Sequence, residues 1–150
     1  MNTNSSLSET SPTPAHIAIR EDLLSTPLSE LSNVRLMGSR CSSCGETTLG
    51  KSTTCPNCGL NTVTALPLSK RGRVWTYTVV RHKPPGDYRG PDPFVPFAMG
   101  LVELPEGLRV LTPITCELDQ LKIDLEVELR PYVRPGEVPE VVAFTFVPVV

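Results

Sequence analysis

The chain has 150 residues, 16.4 kDa, 39% hydrophobic and 20% charged residues, and a net charge of -2 from 14 Lys+Arg against 16 Asp+Glu. That size fits one domain or two small ones in series, and the charge balance supplies no global basic field to hold a polyanion. No apolar run approaches the roughly 20 residues that a membrane helix needs, the opening Met1-Asn-Thr-Asn-Ser-Ser6 lacks the pattern of a secretory signal, and a cytoplasmic location is the expectation.

Residues 1–15 are Asn, Ser, Thr, Glu and Pro with almost nothing apolar, a composition expected to form a disordered tail. Apolar residues return over 16–37 (Ile17, Ile19, Leu23, Leu24, Leu28, Leu31), and Thr26-Pro27 resembles an N-cap followed by proline at the first helical position. The expectation here is one or two short helices. They would be too short to stand alone, so their apolar faces must lie on the rest of the chain or on another protein.

Residues 38–66 carry Cys41-Ser-Ser-Cys44-Gly45 and Cys55-Pro-Asn-Cys58-Gly59, a C-x2-C-x10-C-x2-C pattern with glycine after each pair. Two residues between cysteines let one tight turn aim both thiolates at one point, and glycine takes the positive φ that brings backbone amides toward sulfur. Cys41, Cys44, Cys55 and Cys58 are therefore the predicted metal ligands. Four thiolates leave no open position for water, which makes the site structural; Zn2+ is the expected ion, with iron in a rubredoxin-like site as the alternative. Such a site carries a charge of about -2, and Arg40 and Lys51 are near enough in sequence to offset part of it. Gly45-Glu-Thr-Thr-Leu-Gly50-Lys51-Ser52 also matches the phosphate-loop pattern letter for letter. A phosphate loop needs a buried strand before it and a helix after it, and both flanks are committed to cysteines.

Residues 67–150 are predicted as strand, in five stretches at about 73–81, 94–104, 108–116, 125–133 and 141–149, with Pro105-Glu-Gly107 as a hairpin turn. In the first, Trp75, Tyr77 and Val79 alternate with Val74, Thr76, Thr78 and Val80. Five strands without helical crossovers predict a small antiparallel barrel, an OB-fold in preference to an SH3-like barrel. The whole is mainly β: short N-terminal helices, a four-cysteine zinc ribbon and a C-terminal five-stranded OB-fold.

Lys70, Arg71, Arg73, Arg81, Lys83 and Arg89 face one acid, Asp87, within residues 70–89. The plain reading is a solvated strand with charged ends; the sharper one is an anion site, because five prolines stiffen the loop 82–96. Cys116 and His82 are the only pair that suggests a nucleophile, and a lone cysteine at a strand end is usually a small buried apolar group. The sequence shows no other catalytic set. A single-stranded nucleic-acid module would need stacking aromatics in a basic groove, whereas the later strands bring Glu117, Asp119, Asp124, Glu126, Glu128, Glu137 and Glu140.

The helical lead, the ribbon from Arg40 to Gly59, Gly72-Arg-Val-Trp-Thr-Tyr-Thr-Val-Val80, the Pro-Pro-Gly loop and Phe97-Ala-Met-Gly-Leu-Val-Glu-Leu104 together resemble an acyl-CoA-associated family that joins a rubredoxin-like zinc ribbon to an OB-fold. The resemblance covers about residues 20–148; its most specific part is the ribbon followed closely by Gly-x-Val-aromatic-Thr-aromatic-Thr. It implies a non-catalytic accessory subunit of a thiolase-like enzyme, with the catalytic cysteine and histidine on the partner, or alternatively of an acyl-CoA hydratase or aldolase. It also implies that coenzyme A or acyl-CoA is shared with the partner, with Arg81, Lys83, Tyr88 and Arg89 as ligand-facing candidates. The insert Asp87-Tyr-Arg-Gly-Pro-Asp-Pro93 departs from the family's shorter loops.

Overall fold

The computed structural model of the chain describes residues 16–150; the polar segment 1–15, expected to be a tail, lies outside the described residues. The chain forms β1 (His16–Ala18), β2 (Met37–Cys41), β3 (Thr47–Leu49), β4 (Val63–Pro67), β5 (Arg71–Val80), β6 (Phe97–Glu103), β7 (Arg109–Ile114), β8 (Glu126–Arg134) and β9 (Glu140–Pro148). β2, β3 and β4 make a three-stranded antiparallel ribbon, and the later strands make the barrel.

The barrel follows the order β5-β6-β7-β9-β8 and closes through β8 back onto β5, with Arg71 opposite Glu128 and Arg73 opposite Glu126. All its pairings are antiparallel except β7–β9, which runs parallel at Ile114 and Phe146. This is the Greek-key closure of an OB-fold, and the five expected strands lie where the Val-, Ile- and aromatic-rich stretches put them. At the predicted hairpin, the Gly107 N–H donates to the Leu104 carbonyl (2.9 Å) and the Leu104 N–H to the Leu108 carbonyl (3.0 Å).

The segment 16–37 departs from the helical expectation. Its only helical turn is a 3-10 turn at Leu31–Asn33; the rest is short strand, turns and bends, with Leu24 bridged to Leu36 and the Ser25 N–H donating to the Arg35 carbonyl (2.9 Å). The reason lies in β9. β8 occupies one edge of β9 from Val141 to Pro148, and β7 reaches the other edge only at Phe146, where its Thr115 N–H donates to the Phe146 carbonyl (2.9 Å). β1 takes the vacant stretch of that second edge, pairing His16, Ile17 and Ala18 with Glu140, Val141 and Val142, and the Ile19 N–H donates to the Val142 carbonyl (2.9 Å). An available strand edge outcompetes a helix too short to nucleate alone.

The alternation expected along β5 also breaks. A bulge at Trp75 shifts the register, so Val74 lies opposite Val102 while Val79 lies opposite Ala98. Val74 and Val79 therefore share the inward side despite their odd spacing, and Trp75 turns outward, 46% exposed.

One core serves ribbon and barrel alike. Val74, Val102, Val110, Val127, Val142 and Phe146 fill the barrel, and Leu24, Val34, Leu36 and Leu68 pack over its end in the same cluster. Polar groups fix the joint: the Arg35 guanidinium donates twice to the Leu68 carbonyl (2.8 and 2.6 Å), and the Ser69 N–H and hydroxyl both donate to the Glu106 carboxylate (3.0 and 2.7 Å). The loop 82–96 is held down by the rings of Tyr88, Phe94 and Phe97, with Tyr88 centred 5.7 Å from Phe94 and 6.1 Å from Phe97.

The barrel admits little extra volume where β5 and β6 approach. A Cβ on Gly100 would sit 2.5 Å from Ile114 Cδ1 and 2.9 Å from the Thr76 carbonyl oxygen. Gly100→Ala should destabilise the chain by about 1–3 kcal/mol in urea unfolding, the usual cost of overpacking, with an unchanged m-value.

Candidate metal centre and its surroundings

Two turns with the same backbone hydrogen-bond pattern build the cysteine site. In the first, the Gly45 N–H donates to the Cys41 carbonyl (2.8 Å) and the Cys41 N–H to the Glu46 carbonyl (2.9 Å); in the second, the Gly59 N–H donates to the Cys55 carbonyl (2.8 Å) and the Cys55 N–H to the Leu60 carbonyl (2.8 Å). Gly45 (φ 80°) and Gly59 (φ 79°) take the left-handed conformation that each turn requires. Cys41 and Cys55, which open the turns, are buried; Cys44 and Cys58, which close them, are exposed.

All four Sγ atoms lie within 4.8 Å of one another. Cys41 and Cys58 approach to 3.6 Å, as do Cys44 and Cys55, and all four thiols are free. A tetrahedral site with metal–sulfur bonds of about 2.3 Å has sulfur–sulfur edges of about 3.8 Å, so the four predicted ligands fit a metal ion, and the arrangement is compatible with zinc.

The two turns differ in what surrounds them. The Thr62 hydroxyl, 3.3 Å from Cys41 Sγ, and then the backbone amides of Cys44 and Ser43 hold the Cys41 thiol down at about 6. Asn57 and the Glu46 amide lower Cys44. At Cys58 the Leu60 amide favours the thiolate, but desolvation and hydrogen bonding among the other thiols outweigh it and push the group up to about 11.

Sequence reasoning missed two residues of this region. Thr62 precedes β4, and neither cysteine spacing nor local periodicity points to its hydroxyl. Buried Ser39 donates through Oγ to the Gly50 carbonyl (2.8 Å) and accepts from the Ser52 N–H (2.9 Å), tying the end of β3 back to β2. A small hydroxyl on an inward position of a short strand was its only signal. Arg40 donates to the Thr47 hydroxyl (3.2 Å), while the Lys51 side chain is exposed. The phosphate-loop pattern is engaged elsewhere: the Gly50 N–H donates to the Met37 carbonyl and the Lys51 N–H to the Asp22 carbonyl, both at 2.8 Å.

The basic segment 70–89 is mostly paired. Lys70 donates to the Ser32 carbonyl (2.8 Å), Arg71 lies 3.6 Å from Glu128, and Arg73 lies 3.6 Å from Glu126. Arg89 contacts Asp87 (2.9 Å) and Glu137 (3.6 Å), joining the loop 82–96 to the β8–β9 turn, where Arg134 also binds Glu137 (2.6 Å). Of the four ligand-facing candidates, Tyr88 is half-buried in the aromatic cluster and Arg89 is ion-paired, while Arg81 and Lys83 are exposed with no ion pair among the described residues. Burial, then Glu117 and Asp119, push the Cys116 thiol up, away from nucleophilic use. Trp75 carries the Arg109 guanidinium over its ring at 3.8 Å, and Arg109 also pairs with Glu103 (3.2 Å), so one face of the outermost aromatic is covered.

The family model for the C-terminal OB-fold domain of ChsH2 matches residues 66–130. A DUF35 domain-containing scaffold protein of Pyrococcus furiosus is 35% identical over 97 residues, 63% of this chain and 67% of that protein. The chain belongs to the DUF35 family. The benzoylsuccinyl-CoA thiolase subunit BbsA of Geobacter metallireducens is 35% identical over 95 residues, covering 63% of this chain and 60% of that subunit. A solved chain of the Ltp2-ChsH2(DUF35) aldolase superposes with a TM-score of 0.62 at 26% identity, covering 77% of this chain and 86% of that one. No helix among the described residues of this DUF35 protein is long and apolar enough to cross a membrane.

The purified chain should carry one metal ion per molecule by plasma mass spectrometry, and Cys55→Ser should lose it together with the ordered ribbon, because one missing ligand opens a four-coordinate site.

Proposed function

We propose that this DUF35 chain is a non-catalytic accessory subunit of a thiolase-type acyl-CoA enzyme, built around a structural Zn2+ and contributing partner docking. The observation that carries this reading is the coincidence of an OB barrel fused to a closed four-thiolate ribbon with relatives named as subunits of a thiolase and of an aldolase. Four cysteines complete a zinc coordination sphere and leave no position for substrate or water, which suits a scaffold. The raised thiol of half-buried Cys116 supports the same division of labour, with the acyl chemistry on the partner's residues. Among the two metals that four thiolates take, zinc fits a role that needs no electron transfer.

An aldolase partner is the second reading, favoured by the superposition on the aldolase chain. Single-stranded nucleic acid is disfavoured, because Glu126 and Glu128 already pair with the cations at the start of β5. Within the assembled enzyme, Arg81 and Lys83 are the cations available to the phosphates of coenzyme A, while Tyr88 and Arg89 shape the loop that presents them.

Co-expression with a thiolase-type protein encoded beside it should give a complex that purifies as one species and whose thioester chemistry requires both chains; an isolated chain active on thioesters would overturn the proposal. In that complex, Arg81→Ala with Lys83→Ala should weaken coenzyme A binding roughly three- to tenfold by calorimetry, as expected for two exposed ionic contacts. Unchanged affinity would remove coenzyme A from the role of this loop.

A further inference from the structure

We propose that Thr62 and Asn57 are positioning residues of the metal centre, forming an outer shell of hydrogen-bond donors that holds thiolate charge on the first cysteine turn. The inference rests on the metal reading of the four cysteines and is independent of the partner. Thr62 Oγ1 lies 3.3 Å from Cys41 Sγ and 2.9 Å from Ser43 Oγ. A metal-bound thiolate has no proton to give, so the Thr62 hydroxyl donates to sulfur and the Ser43 hydroxyl donates in turn to Thr62. The hydroxyl is placed by its own backbone: the Thr62 carbonyl accepts from the Ser42 N–H (2.8 Å) and the Ser42 hydroxyl (3.3 Å). Cys41 is 0% exposed, so protein donors rather than water solvate its sulfur, and the Thr62 hydroxyl is the side chain that joins the backbone amides of Ser43 and Cys44 in doing so.

Asn57 supplies the second donor, with Nδ2 3.5 Å from Cys44 Sγ. Both donors come from the second half of the ribbon, Asn57 from inside the Cys55–Cys58 turn and Thr62 from the residues leading into β4, and both serve sulfurs of the first half. Among the described residues, no side-chain N–H or O–H donates to Cys55 or Cys58. The two halves are thus tied through sulfur as well as through the ion, and the excess negative charge of four thiolates on a divalent ion is directed toward Cys41 and Cys44. Outer-shell partners of this kind typically govern metal affinity by about 10- to 100-fold.

The test uses the full chain, with zinc affinity measured by competition against a chromophoric chelator and the thiolate-to-metal charge-transfer band read after cobalt substitution. Thr62→Val should weaken zinc by about 10- to 100-fold and move the cobalt band to lower energy, because a sulfur that loses its donor gives up electrons more easily. Thr62→Ser should restore both. Thr64→Val, an exposed change two residues on, within β4, should alter neither. Asn57→Ala, on an exposed turn where folding is not at stake, should shift the band in the same direction by a smaller amount. A Thr62→Val chain with wild-type affinity and an unmoved band, or equal losses in Thr62→Val and Thr64→Val, would overturn the proposal. A wild-type chain that takes up neither zinc nor cobalt would overturn the metal reading on which it rests.

Discussion

The ribbon is organised by four sulfurs converging on one point. Between Cys41 and Val63 the chain contributes little apolar area beyond Leu49 and Leu60, and Leu60 is itself exposed. Hydrophobic burial cannot hold such a segment, whereas metal binding to four thiolates contributes on the order of 10 kcal/mol in comparable small sites. On the proposed metal reading the tip of the ribbon is fixed by ligation, while its base is held by burial, where Leu36 and Leu68 enter the barrel core. The joint between the two is held by charge-assisted hydrogen bonds from Arg35 to the Leu68 carbonyl and from Ser69 to the Glu106 carboxylate.

The chain presents several distinct faces. The ribbon presents Cys44 and Cys58 outward, and the barrel presents Trp75 and Leu111, the latter 66% exposed, beside the Arg109–Glu103 pair. At another part of the barrel, Arg89 joins the proline-rich loop to the β8–β9 turn through Glu137, and the Tyr88–Phe94–Phe97 cluster holds the loop against the start of β6. A loop ordered in advance loses less entropy when a partner or ligand meets it, which suits a subunit whose work is done in a complex.

Much of this was legible in the residues. Cysteine spacing with trailing glycines pointed to the four sulfurs that converge, because a tight turn with a positive φ has few sequence solutions. The five barrel strands were legible because Val, Ile and aromatic stretches were separated by Pro, Gly and acidic turns. What escaped reading depends on tertiary partners. β1 forms because β7 leaves part of the β9 edge free, a fact absent from residues 16–18 themselves. The Trp75 bulge hides within a stretch that alternates on paper, and the register shift becomes visible only when β6 is laid beside it. The basic run 70–89 admits both a solvated strand and an anion site on sequence alone, and Glu126, Glu128 and Glu137, distant in sequence, pair with three of its arginines.

Hydrogen-exchange mass spectrometry on the full chain before and after metal removal tests the central claim most directly. Stripping the ion should abolish protection across residues 41–62 while β5 to β9 keep theirs, since burial alone holds the barrel. Persistent protection of the ribbon in the metal-free chain would contradict the account.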